Sequence, residues 1–409
     1  MGTLKSFSHR KTENYKMGFK LNITLLFVLL LWASDAEAQA AVFDVTKYGA
    51  RPDGMTDISQ ALLTAWKAAC NSTTASTILI PTGTYMLGPV KLEGLCKAPL
   101  KLQVQGTVKA PADPAKFKGF DGWLTINRLN QFTMSGGGIF DAQGEVAWKQ
   151  NDCAKTGKCN SLPTSFRFNF ISNSIITDIT SLDSKLFHVN VIGCNNLTFQ
   201  HVNVTAPDES LNTDGIHIGR SNGVYIIDSL IGTGDDCVSL GDGSKQVKVS
   251  NVTCGPGHGM SVGSLGRYPK EDDVVGFSVI NCTFTNTDNG VRIKTWPASY
   301  AGVASDLHFE NLIMNNVGNP ILIDQEYCPY NQCTKSKPSQ VKLSKVSFKN
   351  IRGTCKTPLA VKLACSSGFP CQGVEIGDIN LTYNGKGTVK AEVSNVKPKV
   401  TGKMIPALP

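Results

Sequence analysis

The chain has 409 residues, 41% of them hydrophobic and 18% charged, with a formal net charge of +8. That length allows one large domain or two ordinary ones. No Lys/Arg-rich run points to nucleic acid, and no stretch beyond the N-terminus is apolar enough to span a bilayer.

The N-terminus reads as a secretory signal peptide over residues 1–38. Lys16 to Lys20 is basic, Leu21 to Trp32 is apolar, and Ala36-Glu37-Ala38 is a small-x-small cleavage site. Met17 makes a more ordinary start, so residues 1–16 read as an extension or a start-site artefact. Residues 39–409 are then expected as one soluble, exported domain. Removing five cations and three anions leaves the mature chain at +6. That suits an acidic extracellular polymer, although plain solubility accounts for it equally well.

Thirteen cysteines in an exported chain imply disulfides, with at least one thiol unpaired. The close pairs are Cys153/Cys159, Cys328/Cys333 and Cys365/Cys371, with Cys70/Cys96 further apart. Cys237/Cys254 would tie neighbouring turns. The spacings make no CxxC pair, which leaves little case for zinc. Sequons at Asn71, Asn196, Asn203, Asn251, Asn281 and Asn380 fit a glycosylated surface.

The mature fold opens with a short strand at Phe43-Asp44-Val45, followed by a Gly/Pro-containing loop from Tyr48 to Thr56. Asp57 then caps a helix to about Ala69, with Ala61, Leu62, Ala65, Trp66 and Ala69 on one face. This is the one convincing amphipathic helix, and a stacked architecture needs such a cap over its first layer. From Thr77 short β-rich pieces take over: Ile78–Ile80, Leu100–Val108 and Leu124–Ile126. Gly136-Gly137-Gly138 marks a tight bend, and Trp148 to Pro163 reads as a loop.

From Leu197 one pattern recurs: apolar, x, apolar, x, Asn/Asp/His. It appears at Leu197/Phe199/His201, Val224/Ile226/Asp228, Val247/Val249/Asn251, Phe277/Val279/Asn281, Leu307/Phe309/Asn311, Val346/Phe348/Asn350 and Val374/Ile376/Asp378, with a weaker copy at Ile176/Asp178. Alternation at period two means strands. The residue after each strand can turn the chain, because Asn and Asp tolerate the left-handed region. Intervals of 23 to 39 residues around a constant core mean loops inserted into stacked coils. The pattern lacks the four-stranded unit of a propeller and the leucine ladder of a leucine-rich repeat. It predicts an all-β fold: a right-handed parallel β-helix of seven to ten coils.

The polar residues concentrate between Asn212 and Lys294. Asp214 to Asp236 is 22 residues, and Asp236 to His258 is 22 again. Each is followed by apolar residues at the same two offsets, so one coil is 22 residues and the three polar side chains share one face. Stacked aspartates repel, so folding gains nothing from Asp214, Asp235 and Asp236 together. Like charges at close range raise at least one pKa. A protonated carboxyl beside ionised ones is what glycoside hydrolysis needs. His258 could tune the acid, and Arg292 and Lys294 could bind a substrate carboxylate. Singly, each residue has a plainer reading as a turn, a solvated loop acid or a charge balance. Calcium is the structural rival for three carboxylates, and two cations with a histidine in the same patch argue against it.

Asn212-Thr213-Asp214-Gly215, Gly234-Asp235-Asp236-Cys237, Gly257-His258-Gly259 and Arg292-Ile293-Lys294, in this order, resemble the four signature motifs of the polygalacturonases, glycoside hydrolase family 28. The resemblance extends from about Phe43 to near the C-terminus, and Asn212–Gly219 and Cys254–Tyr268 resemble the plant pollen exopolygalacturonases. It implies inverting hydrolysis of α-1,4-linked galacturonic acid, with Asp235 as general acid, Asp214 and Asp236 holding and activating water, and His258 supporting protonation of the acid. Arg292 and Lys294 would bind the galacturonate carboxylate, Tyr327 would contact the sugar, and Asn212 would position the acids or the sugar. Adjacent-coil carboxylates about 5 Å apart would by themselves suggest retention; the resemblance says inversion. Pollen-type relatives tend to carry two cysteines near the C-terminus, and Ala391–Pro409 has none, which leaves the anchoring of the tail open. The expectation is a monomeric, cofactor-free and metal-free enzyme of the cell wall acting on pectin, exo rather than endo. A calcium-dependent lyase and a non-catalytic wall-binding protein are the rivals.

Overall fold

The computed structural model describes residues 41–151 and 162–409. The signal-peptide reading and the Cys153/Cys159 pair lie outside the described residues. Among the described residues no helix is long and apolar enough to cross a membrane.

Short strands stack in parallel register and form a parallel β-helix, the connections taking the right-handed sense that parallel crossovers favour. One sheet has eleven strands, from Val90–Glu93 to Lys390–Ser394. The other two faces merge into one 22-stranded sheet, because long strands such as Gly302–Val317 and Val341–Cys355 run through the corner between them. Eleven strands mean more coils than the seven to ten expected, since the N-terminal coils lack the Asn/Asp punctuation used for counting.

The recurring pattern maps directly onto packing. Leu197, Val224, Val247, Phe277, Leu307, Val346 and Val374 pair coil to coil and are all buried. Every punctuating residue, from Asp178 through His201, Asp228, Asn251, Asn281, Asn311 and Asn350 to Asp378, has a φ between 50° and 56°. Each turns its strand in the left-handed region that these side chains tolerate. Their side chains form a polar ladder on the outside: Asn311 Nδ2 donates to Asn281 Oδ1 at 3.2 Å, and Asn350 Nδ2 to Asn311 Oδ1 at 2.7 Å.

The helix spans Ser59–Asn71 and buries Ala61, Leu62, Ala65, Trp66 and Ala69. Asp57 accepts from the Ser59 backbone N–H at 2.9 Å, one position ahead of the helix cap. Trp66 packs edge-on against Phe132, centroids 6.1 Å apart, and closes the first coil. The first strand is Ala41–Asp44, and Val45, read as its end, opens a 3-10 turn to Tyr48; the stretch from Tyr48 to Thr56 read as a loop contains most of an exposed strand, Asp53–Asp57. A second helix, Glu145–Gln150, begins ahead of the loop placed at Trp148; six residues are too few for a 3.6-residue pattern to show.

Among the described residues, disulfides join Cys70–Cys96, Cys237–Cys254, Cys328–Cys333 and Cys365–Cys371, as the spacings suggested. Cys194, Cys282 and Cys355 are free and buried. The tail has no cysteine, yet Lys390–Ser394 and Lys399–Ile405 pair with Leu359–Ala364 and Gln372–Tyr383. Backbone hydrogen bonds to the last coil anchor it instead. All six sequon asparagines are exposed.

Candidate active site

Five successive strands of the eleven-stranded sheet, from Val189–Ile192 to Asn289–Thr295, build one cleft. Phe187, Asp214, Asp236 and His258 each stand two residues ahead of Val189, Ile216, Val238 and Met260, which pair in succession. Further along, His217, Ser239 and Ser261 on three of these strands and Arg292 on the next, Asn289–Thr295, stack in register. Pairing of the buried aliphatic residues thus sets the heights of the polar ones. The disulfide Cys237–Cys254, directly behind Asp236, pins the loop that carries the acids.

The three carboxylates sit in different electrostatic surroundings. Asp236 is 2% exposed. Its Oδ1 accepts from Ser261 Oγ at 2.7 Å and Arg292 Nη2 at 2.9 Å, and its Oδ2 from Lys294 Nζ at 2.8 Å. Burial pushes this carboxyl up, but Lys294 and Arg292 outweigh it and bring the pKa down to about 2. Asp214, 6% exposed, lacks direct cationic partners and accepts from Ser239 Oγ at 2.9 Å. Burial first, then the charges of Asp235 and Asp236, raise it well above the ordinary 3.8.

Asp235 is half-buried. Its Oδ1 accepts from the Asp236 backbone N–H at 2.8 Å and lies 2.9 Å from His258 Nδ1; its Oδ2 accepts from Asn212 Nδ2 at 3.3 Å. The bond to Asp235 raises the His258 pKa above 6.5 against the opposing effect of burial. His258 Nε2 is 3.7 Å from Asp288.

This arrangement differs from the three-residue column expected from spacing. The backbone of His258 follows Asp236 in register, but its ring turns to Asp235. The flanking glycines permit this. Gly257 has φ 133° and Gly259 has φ 87°; an added Cβ would lie 2.5 Å from Asp235 O and 2.1 Å from Asn289 O, respectively. Only Gly-His-Gly lets the histidine backbone lie against the acid loop, where its N–H donates to Asp235 O at 2.8 Å.

Arg292 and Lys294 hold Asp236 rather than standing free, so the charge-balancing reading is part of their role. Both keep unused donors, because a guanidinium has five N–H groups and an ammonium three. Tyr327 lies over them, its ring centroid 5.4 Å from Lys294 Nζ and 5.9 Å from Arg292 Cζ. Trp296 meets Tyr327 edge-on at 5.8 Å, and the Arg267 guanidinium lies 4.8 Å from the Trp296 centroid and 5.6 Å from that of Tyr268. The acids, Asn212, Lys294 and Tyr327 line an open cleft of about 410 Å³, with Phe187, His217, Arg267 and Tyr268 on its walls. That volume is within the range of ligand clefts.

Asp235, Asp236 and His258 place possible ligand atoms within 4.8 Å of one another. The donor set does not suit calcium. Both Asp236 oxygens already hold a cation, and calcium needs six or more oxygen ligands rather than an imidazole.

All eight residues singled out by sequence therefore converge: Asn212, Asp214, Asp235, Asp236, His258, Arg292, Lys294 and Tyr327. Sequence reasoning missed Phe187, His217, Ser239 and Ser261. The signal was there for three of them, since His217, Ser239 and Ser261 are themselves 22 residues apart.

The model of the glycosyl hydrolases family 28 matches residues 70–402. A polygalacturonase of Nicotiana tabacum is 57% identical over 391 residues, 95% of this chain and 97% of that one. An exopolygalacturonase of Oenothera organensis is 60% identical over 354 residues, 86% of this chain and 98% of that one. Among solved structures, the endo-xylogalacturonan hydrolase of Aspergillus tubingensis superposes with a TM-score of 0.78 at 26% identity, covering 89% of this chain and 99% of that one.

Proposed function

Because the chain belongs to glycosyl hydrolase family 28, we propose that it hydrolyses the α-1,4-galacturonosyl linkages of de-esterified pectin, with inversion and from chain ends. The observation that carries this reading is three carboxylates in one cleft with three different surroundings: Asp236 held ionised by Lys294 and Arg292, Asp214 raised on the adjacent coil, and Asp235 hydrogen-bonded to His258. Unequal surroundings let one site keep a proton donor beside ionised carboxylates.

Asp235 donates its proton to the glycosidic oxygen as that bond breaks, and His258 at Oδ1 supplies and returns it. Asp214 and Asp236 hold the attacking water. Asp214 takes its proton, because a raised carboxyl is the stronger base and Asp236 is committed to two cations. The remaining donors of Lys294 and Arg292 bind the substrate carboxylate beneath Tyr327. Asn212 orients Asp235. The protein works without a metal as a secreted monomer of the cell wall, with residues 39–409 as its catalytic domain and glycans on its exposed sequons.

The name of the Oenothera relative supports exo action. Reducing-end release from polygalacturonate, with sizing of early products, tests both parts. Single galacturonate from the first time points is expected. Early mixed oligomers would make the enzyme endo-acting, and unsaturated products absorbing in the ultraviolet and lost in chelator would make it a lyase. Asp235→Asn should lower the rate at least 10²- to 10⁴-fold; near-full activity would overturn the acid assignment.

A further inference from the structure

Behind Asp214 runs a chain of hydrogen bonds that the mechanism above leaves unused. Ser239 Oγ donates to Asp214 Oδ2 at 2.9 Å, and His217 Nδ1 lies 2.7 Å from the same Oγ. His217 lines the cleft wall, and the Phe187 ring packs on its imidazole at 5.3 Å. Since the single Ser239 proton goes to Asp214, the imidazole must donate from Nδ1, which leaves Nε2 as an acceptor.

We propose that His217 is a positioning residue for hydrolysis: through Ser239 it stabilises ionised Asp214, and it reverses its own hydrogen-bonding sense when Asp214 takes up a proton. The proposal rests on the hydrolase reading with Asp214 as base. The proton count closes. With Asp214 ionised, the hydroxyl proton points to Asp214 and the imidazole proton is on Nδ1. With Asp214 protonated, its proton points to Ser239 Oγ, the hydroxyl proton points to His217 Nδ1, and the imidazole proton is on Nε2. Asp214 takes its proton from the attacking water, the Ser239 hydroxyl turns to His217, and the imidazole changes tautomer, giving up its Nδ1 proton and taking one at Nε2, so that one proton is gained in all. The imidazole stays neutral at both ends of the shift, consistent with its pKa, which burial first and Lys294 second bring down to about 4.

The charged groups facing the relay are named by the same geometry. Lys294 opposes protonation of His217, and Asp236 and Asp242 favour it. Asp235 and Asp236 raise Asp214, and Lys294 and the Ser239 bond lower it. Deleting the Ser239 hydroxyl removes a stabiliser of the ionised base, so Asp214 must titrate at higher pH. A merely sugar-binding His217 would instead act on KM and leave the titration alone.

The test is the pH profile of kcat/KM on polygalacturonate for Ser239→Ala, His217→Ala, the double variant and His217→Asn. Ser239→Ala should move the acidic limb up by roughly one pH unit, with KM nearly unchanged. His217→Ala should move it in the same direction by less. The double variant should match Ser239→Ala, because one chain is being cut twice. His217→Asn, whose amide can donate from the Nδ1 position, should keep the wild-type limb. An unmoved limb in Ser239→Ala, additive effects, a loss confined to KM, or a shift in His217→Asn equal to that in His217→Ala would each overturn the relay. Wild-type protein that releases no reducing ends would instead remove the hydrolase reading on which it rests.

Discussion

Two polar columns run along this solenoid, and they teach opposite lessons about repetition. The outer ladder, Asp178 to Asp378, places one Asn, Asp or His per coil at a left-handed turn, largely exposed. The cleft column places Phe187, Asp214, Asp236 and His258 at an equally regular position, and its two aspartates are almost fully buried. Register is the same in kind for both. Water screens the ladder, so its members need only turn the chain. Burial removes that screening in the cleft, and each acid there takes its protonation from its particular neighbours.

The contrast should break most visibly at Lys294. Lys294→Ala leaves Asp236 buried with one partner gone, and a loss of about 3–5 kcal/mol in stability is expected from denaturant titration. Serine at both Cys237 and Cys254 frees a loop of 17 residues behind the acids and should cost about 3 kcal/mol. Activity should fall with it, whereas opening Cys328–Cys333, with a separation of only 5, should affect stability less.

The pH profile sharpens the comparison without a mutation. Asp214 must be ionised to act as base, and its pKa is raised. Activity is therefore expected to fall as pH drops through a value above the ordinary 3.8. On the other side, the proton on His258 is lost as pH rises through its raised value, so the alkaline limb should lie above pH 6.5. Limbs at the ordinary carboxylate and imidazole values would contradict the environments assigned here. The smallest effect belongs to the ladder. Asn350→Ala, at φ 50°, should cost about 1 kcal/mol, because alanine lacks the polar side chain that makes the left-handed region tolerable to Asn. Asn350→Gly should stay within about 0.5 kcal/mol, and neither should alter turnover.

Much of this was legible in the chain itself. Alternating apolar residues determine strands, an Asn or Asp after each one determines a left-handed turn, and a 22-residue step determines which polar residues share a face. These are local or periodic properties, and the structure kept all of them. The coil count fell short where the punctuation is missing, at the N-terminal end. Tertiary structure alone decided which partner each polar group meets. Spacing aligned His258 with Asp236, yet two left-handed glycines aim its ring at Asp235. Nothing in the chain says that Arg292 and Lys294, 56 and 58 residues from Asp236, both close on that one carboxylate. Periodicity sets height along a solenoid to within one strand spacing, about 4.8 Å. Hydrogen bonds and proton affinities depend on tenths of an ångström and on burial, which only the packed coils determine.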